Sequence, residues 1–199
     1  TLILEIFTFY FSHSQQDQVE SEMNSAKGIT FKHGDMFIEG SIQITTGGDQ
    51  DYYALNPKFG YLLNDKFAVG GQVNFSSNKF ESTGIKTNVF GIGGFARYYF
   101  LELDKKRFKA YGEAGLGYGR NKVESPTGSN DSNSLTANIN IGLNYFLTKN
   151  IAVTFTLANL LSYNTVSPEN GPSSDTFQLN INLFENIFDQ PKFGVLYRF

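Results

Sequence analysis

The sequence predicts an all-β protein, a transmembrane antiparallel up-and-down β-barrel of about eight strands. Three observations lead there. From Gly34 onward, apolar residues recur with a period of two almost without interruption; in a strand, residues two apart lie on one face. The opposite faces hold Asn, Thr, Ser, Gln and Gly with few charges, whereas a soluble carrier barrel keeps an apolar interior behind a charged exterior. The closing stretch puts Phe193, Val195, Tyr197 and Phe199 on one side and Gly194, Leu196 and Arg198 on the other. Such an aromatic ridge fits a last strand with one side in lipid and an aromatic at the membrane–water interface.

Composition bounds the alternatives. A chain of 199 residues suits one domain. There is no cysteine, which excludes a disulfide framework, a thiolate metal site and a thiol nucleophile. The net charge is -3 with a pI near 5.4, without the basic footprint of a nucleic-acid partner. No window holds the roughly 18 consecutive apolar residues of a membrane-spanning helix. The mean hydropathy of -0.26 hides a barrel, because only alternate residues of a barrel face lipid.

Leu2 to Phe11 form a short apolar run followed by Ser12-His13-Ser14, whose two small residues fit a signal-peptidase site. Glu5 inside the run departs from that pattern, and an amphipathic or buried N-terminal strand is the alternative. The expectation is a signal-peptide remnant at 1–14, a polar, mobile lead at 15–33, and a barrel at 34–199.

The first strand aligns Met36, Ile38, Ile42 and Ile44; after a turn over Thr46–Asp51, the second aligns Tyr53, Leu55, Phe59 and Tyr61. Folding one onto the other sets Glu39 beside Lys58 on the polar side, and face matching of this kind fixes register. A tight turn at Leu63–Lys66 leads to the third strand (Phe67, Val69, Val73, Phe75), then a polar loop over Ser77–Gly84. The fourth strand, from about Ile85 to Phe100, sets Phe90, Ile92, Ala96, Tyr98 and Phe100 on one face and Arg97 on the other. Past the charged turn Asp104–Arg107, the fifth directs Phe108, Ala114, Leu116 and Tyr118 outward, with Lys109, Tyr111 and Glu113 opposite. Lys122 to Asn133, rich in Ser and Asn with Pro126 and Gly128, reads as a mobile loop. The sixth strand alternates most cleanly, Leu135 to Tyr145, and the seventh follows a turn at Thr148–Asn150. Another polar loop, Ser162–Asp175, precedes Phe177, Leu179, Ile181 and Leu183. Glu185–Pro191 is expected to bulge or bend before the final ridge, since Pro191 cannot donate to a ladder.

Several of these stretches carry a resemblance. They are Asn56-Pro57-Lys58-Phe59-Gly60-Tyr61 with the turn into Lys66–Gly71, Phe95-Ala96-Arg97-Tyr98-Tyr99-Phe100, Tyr111–Tyr118, and Phe193–Phe199. In these the chain resembles the outer-membrane protein beta-barrel domain family, the small OmpA/OmpX-like barrels of Gram-negative bacteria, over roughly Gly34 to Phe199. The resemblance implies residence in the cell outer membrane, contact with outer-membrane lipid, and insertion by the barrel-assembly machinery. That machinery would read Phe193, Val195, Tyr197 and Phe199 as the assembly signal. It implies no catalytic residues, metal or cofactor. The function it implies is a non-enzymatic structural or binding role in the envelope, with an accessory subunit of a larger outer-membrane complex, or a small channel, as alternatives.

The polar faces supply the candidate site. Arg97 and Glu113 sit on neighbouring strands, and Glu39 and Lys58 form a similar pair. In a narrow lumen unpaired charges are costly, so these four read as a salt-bridge plug, with a gate or proton path as the functional alternative. Gly115-Leu116-Gly117-Tyr118-Gly119 lacks the helix and downstream acid of a phosphate loop; its lumen-side glycines are expected to make room for Arg97, Tyr99 or Tyr111. His13 and His33 are poorly placed for general-base chemistry. Asp49 and Asp51 fall well short of the 6–8 oxygens of a calcium site.

Overall fold

Strands dominate the fold. The computed structural model describes residues 19–169, 171–180 and 192–199. The signal-peptide reading of residues 1–14 and the bulge read over Glu185–Pro191 lie outside the described residues. The strands are β1 (Met36–Gly47), β2 (Gln50–Leu62), β3 (Phe67–Phe80), β4 (Ile85–Leu103) and β5 (Phe108–Ser125). They continue as β6 (Gly128–Phe146), β7 (Ile151–Pro168), β8 (Ser174–Leu179) and β9 (Lys192–Arg198).

Each of β1 to β6 pairs antiparallel with the next. β8 and β9 share the eighth position: β8 pairs with Leu161–Val166 and β9 with Ile151–Thr156, both on β7. β9 also pairs with β1 over Phe37–Ser41, which closes the ring. Closure satisfies backbone donors and acceptors that lipid cannot.

The outward faces carry the apolar residues of the period-two pattern. Ile38, Ile42, Phe59, Phe75, Ile92, Tyr98, Phe100, Leu116 and Tyr197 are all exposed, which suits a wall in contact with acyl chains. Phe193, Val195, Tyr197 and Phe199 point outward on β9 and its end, each roughly half exposed (48–59%).

Three polar stretches expected as loops are instead paired strand. Ser77–Phe80 extends β3 against Ile85–Asn88 of β4, and Lys122–Ser125 pairs with Gly128–Asp131. Likewise Ser162–Pro168 continues β7 against β6. The physical reason is that backbone pairing needs no apolar face once the strand leaves lipid. A strand of 19 residues such as β4 is roughly 60 Å long at ~3.3 Å per residue. Crossing a bilayer takes only about 9–11 tilted residues. The asymmetry between the two ends is therefore one of strand extension rather than loop length.

At the other end the strands stop near the lipid-facing zone and four-residue turns join them, over 63–66, 104–107 and 147–150. Asn64 Oδ1 accepts from Lys66 N at 2.9 Å and Phe67 N at 2.8 Å, closing the β2–β3 turn. Residues 19–25 are helical, and the chain from there to β1 packs across this turn end. Ala26, Ile29 and Phe31 are buried in the same core as Phe37, Leu62, Tyr99, Tyr111, Phe146 and Leu196. The stretch expected as a polar, mobile lead thus contributes three apolar side chains to the barrel interior.

Candidate functional site in the barrel lumen

The lumen is built from the polar-side residues of the alternation, and its centre is Arg97, which is wholly buried. Nη1 donates to Glu39 Oε2 at 2.7 Å and Nη2 to Glu39 Oε1 at 3.1 Å, a bidentate fork. Nε donates to Glu113 Oε2 at 2.8 Å. Lys58 Nζ pairs with the other oxygen of Glu113. Two carboxylates and two cations therefore balance, each carboxylate held by charge-assisted bonds. The guanidinium also lies 4.0 Å from the Tyr111 ring centroid, with Phe37 and Phe95 at 5.3 and 5.5 Å. Burying this network without its partners would be strongly unfavourable; with them it forms a rigid cross-brace.

All four candidate charges meet in one cluster, but not in the pairs that the ladder suggests. Arg97 and Glu113 are register partners and bond directly. Glu39 and Lys58 are also register partners, yet Glu39 serves Arg97 and Lys58 serves Glu113. A lumen this narrow brings β1 and β2 within reach of β4 and β5, so side chains bond across the interior as well as along the sheet. Sequence offers no signal for that exchange.

A second closure lies toward the turn end. Phe31 is buried, its ring centroid 4.8 Å from that of Tyr99 and 5.8 Å from that of Phe146. Lys109 Nζ stands 4.6 Å over the Phe31 ring and pairs with Glu102. Tyr99 links the two closures: its hydroxyl oxygen accepts from Asn144 Nδ2 at 3.2 Å and lies 3.4 Å from Arg97 Nη1. The backbone of the lead is fixed as well, with Gly28 N donating to Lys105 O at 2.7 Å and Arg198 Nη1 to Thr30 O at 3.3 Å.

Toward the extended end the lumen opens into a cavity of about 470 Å³. Its walls carry amides and hydroxyls, among them Ser41, Asn56, Gln72, Thr136 and Asn138, with Glu39 and Lys58 at its base. Such neutral donors and acceptors suit a hydrated vestibule.

Glycines do make room for the lumen aromatics, though not those of the 115–119 run. A Cβ on Gly142 would collide with the Tyr111 hydroxyl end, and one on Gly60 with the Phe37 ring. The space at Gly115 is taken by Asn138. His33 sits at the turn end, its Nδ1 3.0 Å from Leu63 O. Asp49 accepts from Ser82 N at 2.5 Å and from the Ser82 hydroxyl, bracing the β3–β4 turn.

An eight-position ring with an apolar exterior and a charged, paired lumen is the architecture of small outer-membrane barrels. The family model of the outer membrane protein beta-barrel domain matches residues 11–183. The chain belongs to that family. It is accordingly a barrel of the cell outer membrane, in contact with outer-membrane lipid. Among solved structures, OprG from Pseudomonas aeruginosa is similar with a TM-score of 0.52 at 16% identity, over 85% of this chain and 98% of that one. A major outer membrane protein from Thermus thermophilus is similar with a TM-score of 0.51 at 13% identity, over 83% of this chain and 99% of that one. Both likenesses concern the fold. Comparison with curated proteins gives no match.

Proposed function

We propose that this protein is a non-enzymatic envelope barrel with a sealed lumen. Its role is structural or binding, exercised through the strand extensions beyond the membrane and through the lipid-facing wall. The observation that carries this reading is Arg97, fully buried and held by both Glu39 and Glu113. Phe31 closes the lumen again beneath it. Assembly by the outer-membrane insertion machinery, with Phe193, Val195, Tyr197 and Phe199 as the recognised strand, is part of the same reading. Their outward placement supports it.

The lead docks on its own barrel, which favours a self-contained protein over an accessory subunit of a larger complex. A small channel is the second reading, favoured by the polar vestibule above the ion pairs.

A strain lacking the protein tests the proposal. Its envelope should admit more of a bulky hydrophobic antibiotic, and the wild-type chain should restore exclusion. A chain whose β5–β6 hairpin is shortened beyond the membrane should not. Equal rescue by the shortened chain, or a defect confined to uptake of a small polar solute, would refute it.

A further inference from the structure

The three short turns share a pattern that the sealed lumen does not use. Each places an exposed leucine two or three residues ahead of an exposed lysine: Leu63 before Lys66, Leu103 before Lys105 and Lys106, Leu147 before Lys149. The lead covers the mouth of the barrel at this end but leaves these side chains on the rim. A leucine beside a lysine at the edge of a lipid-facing wall has a clear physical use. The apolar group enters the acyl region while the ammonium reaches up to the headgroups.

The charges at the two ends of the barrel are handled differently. At the extended end Lys79 pairs with Glu81, Arg120 with Asp131, and Lys122 with Glu124, and among the described residues there Lys86 alone of the lysines and arginines has no carboxylate within 4.0 Å. At the turn end, among the described residues, Lys66, Lys105 and Lys149 have no carboxylate within 4.0 Å, and Lys106 has Glu102 at 3.8 Å. The turn bearing Lys105 and Lys106 is also strained. Asp104, Lys105 and Lys106 take φ values of 48°, 52° and 70°, a run that non-glycine residues adopt only when their surroundings impose it. Gly28 N on Lys105 O and the Tyr145 hydroxyl on Asp104 Oδ2, at 3.3 Å, hold it there.

We propose that the turn end is a docking collar for anionic phospholipid headgroups, in which Lys66, Lys105, Lys106 and Lys149 bind phosphate oxygens. The strand extensions stand where outer-membrane barrels carry their longer extracellular segments, so the turn end faces the periplasm and the lipids concerned belong to the inner leaflet. Each lysine near a charged leaflet favours binding by on the order of fivefold, and salt attenuates the effect within a Debye length.

The test is electron spin resonance on the full chain refolded into vesicles of phosphatidylcholine and phosphatidylglycerol, with either lipid spin-labelled in turn. The immobilised lipid around the wild-type barrel should be enriched several-fold in phosphatidylglycerol, and high salt should erase the enrichment. A variant carrying Lys66→Gln, Lys105→Gln, Lys106→Gln and Lys149→Gln should show none, with its folding checked by heat-dependent gel mobility. Should that variant not fold, the salt titration of the wild type decides alone. Absence of preference, or a preference that survives both salt and substitution, would overturn the proposal. So would lysine-dependent sedimentation with peptidoglycan in the absence of lipid preference, which would assign the patch to a polymer.

Discussion

The Phe31 and Tyr99 rings stand 4.8 Å apart at 56° to one another, joining a segment ahead of the barrel to the middle of its lumen. Tyr99 reaches Arg97 in turn, so the lead, the aromatic layer and the ion pairs form one continuous packed column. Burying a phenylalanine contributes about 1.5–3 kcal/mol by area alone, and the cavity left by its removal adds to the loss. Phe31→Ala is therefore expected to destabilise the barrel by about 3 kcal/mol. Guanidinium unfolding of the protein in lipid, followed by heat-dependent mobility, measures this. The lead should also become accessible to protease; an unchanged midpoint would show that Phe31 does not fasten the lead to the barrel.

The ion-pair cluster makes a coupled prediction. Glu113 holds both Arg97 and Lys58, so Glu113→Gln leaves the half-buried Lys58 without its carboxylate and the buried Arg97 with Glu39 alone, and should cost on the order of 3 kcal/mol. Lys58→Met should cost less, because Glu113 keeps its bonds to Arg97. In the Lys58→Met background the Glu113→Gln loss should shrink. Strictly additive losses in a double-mutant cycle would show that the two side chains do not meet. A simple swap of Arg97 and Glu113 would not restore stability fully, since Glu39 would then face another carboxylate.

Packing around Gly60 can be tested by paired substitution. A methyl group there meets the Phe37 ring, so Gly60→Ala should lower stability by about 1–3 kcal/mol through overpacking. Phe37→Leu should be destabilising alone yet relieve Gly60→Ala when combined with it. Unfolding midpoints of the four proteins read this directly. No relief in the double variant would place the clash elsewhere.

The membrane-crossing parts of this fold were legible because lipid enforces alternation. Leu135 to Tyr145 had to place apolar groups at every second position, and a reader needs only the period. Lys122–Ser125 and Gly128–Asp131 were opaque for the opposite reason. In water both faces of a hairpin are free to be polar, so nothing distinguishes a paired extension from a loop. Ala26, Ile29 and Phe31 escaped because their packing follows neither a period of two nor one of 3.6. The four lumen charges were individually visible as polar-face residues of β1, β2, β4 and β5. Their partner choice depends on distances across the interior, which register alone does not encode.

The measurement that bears most directly on a sealed lumen is ionic conductance across a planar bilayer containing the refolded wild-type protein. Two closures in series, the Arg97 cluster and Phe31, predict conductance no greater than that of the bilayer alone. Phe31→Ala should remain silent as well, because the Arg97 cluster persists above it. Steady, voltage-tolerant conductance from the wild-type barrel would contradict the account and make it a channel.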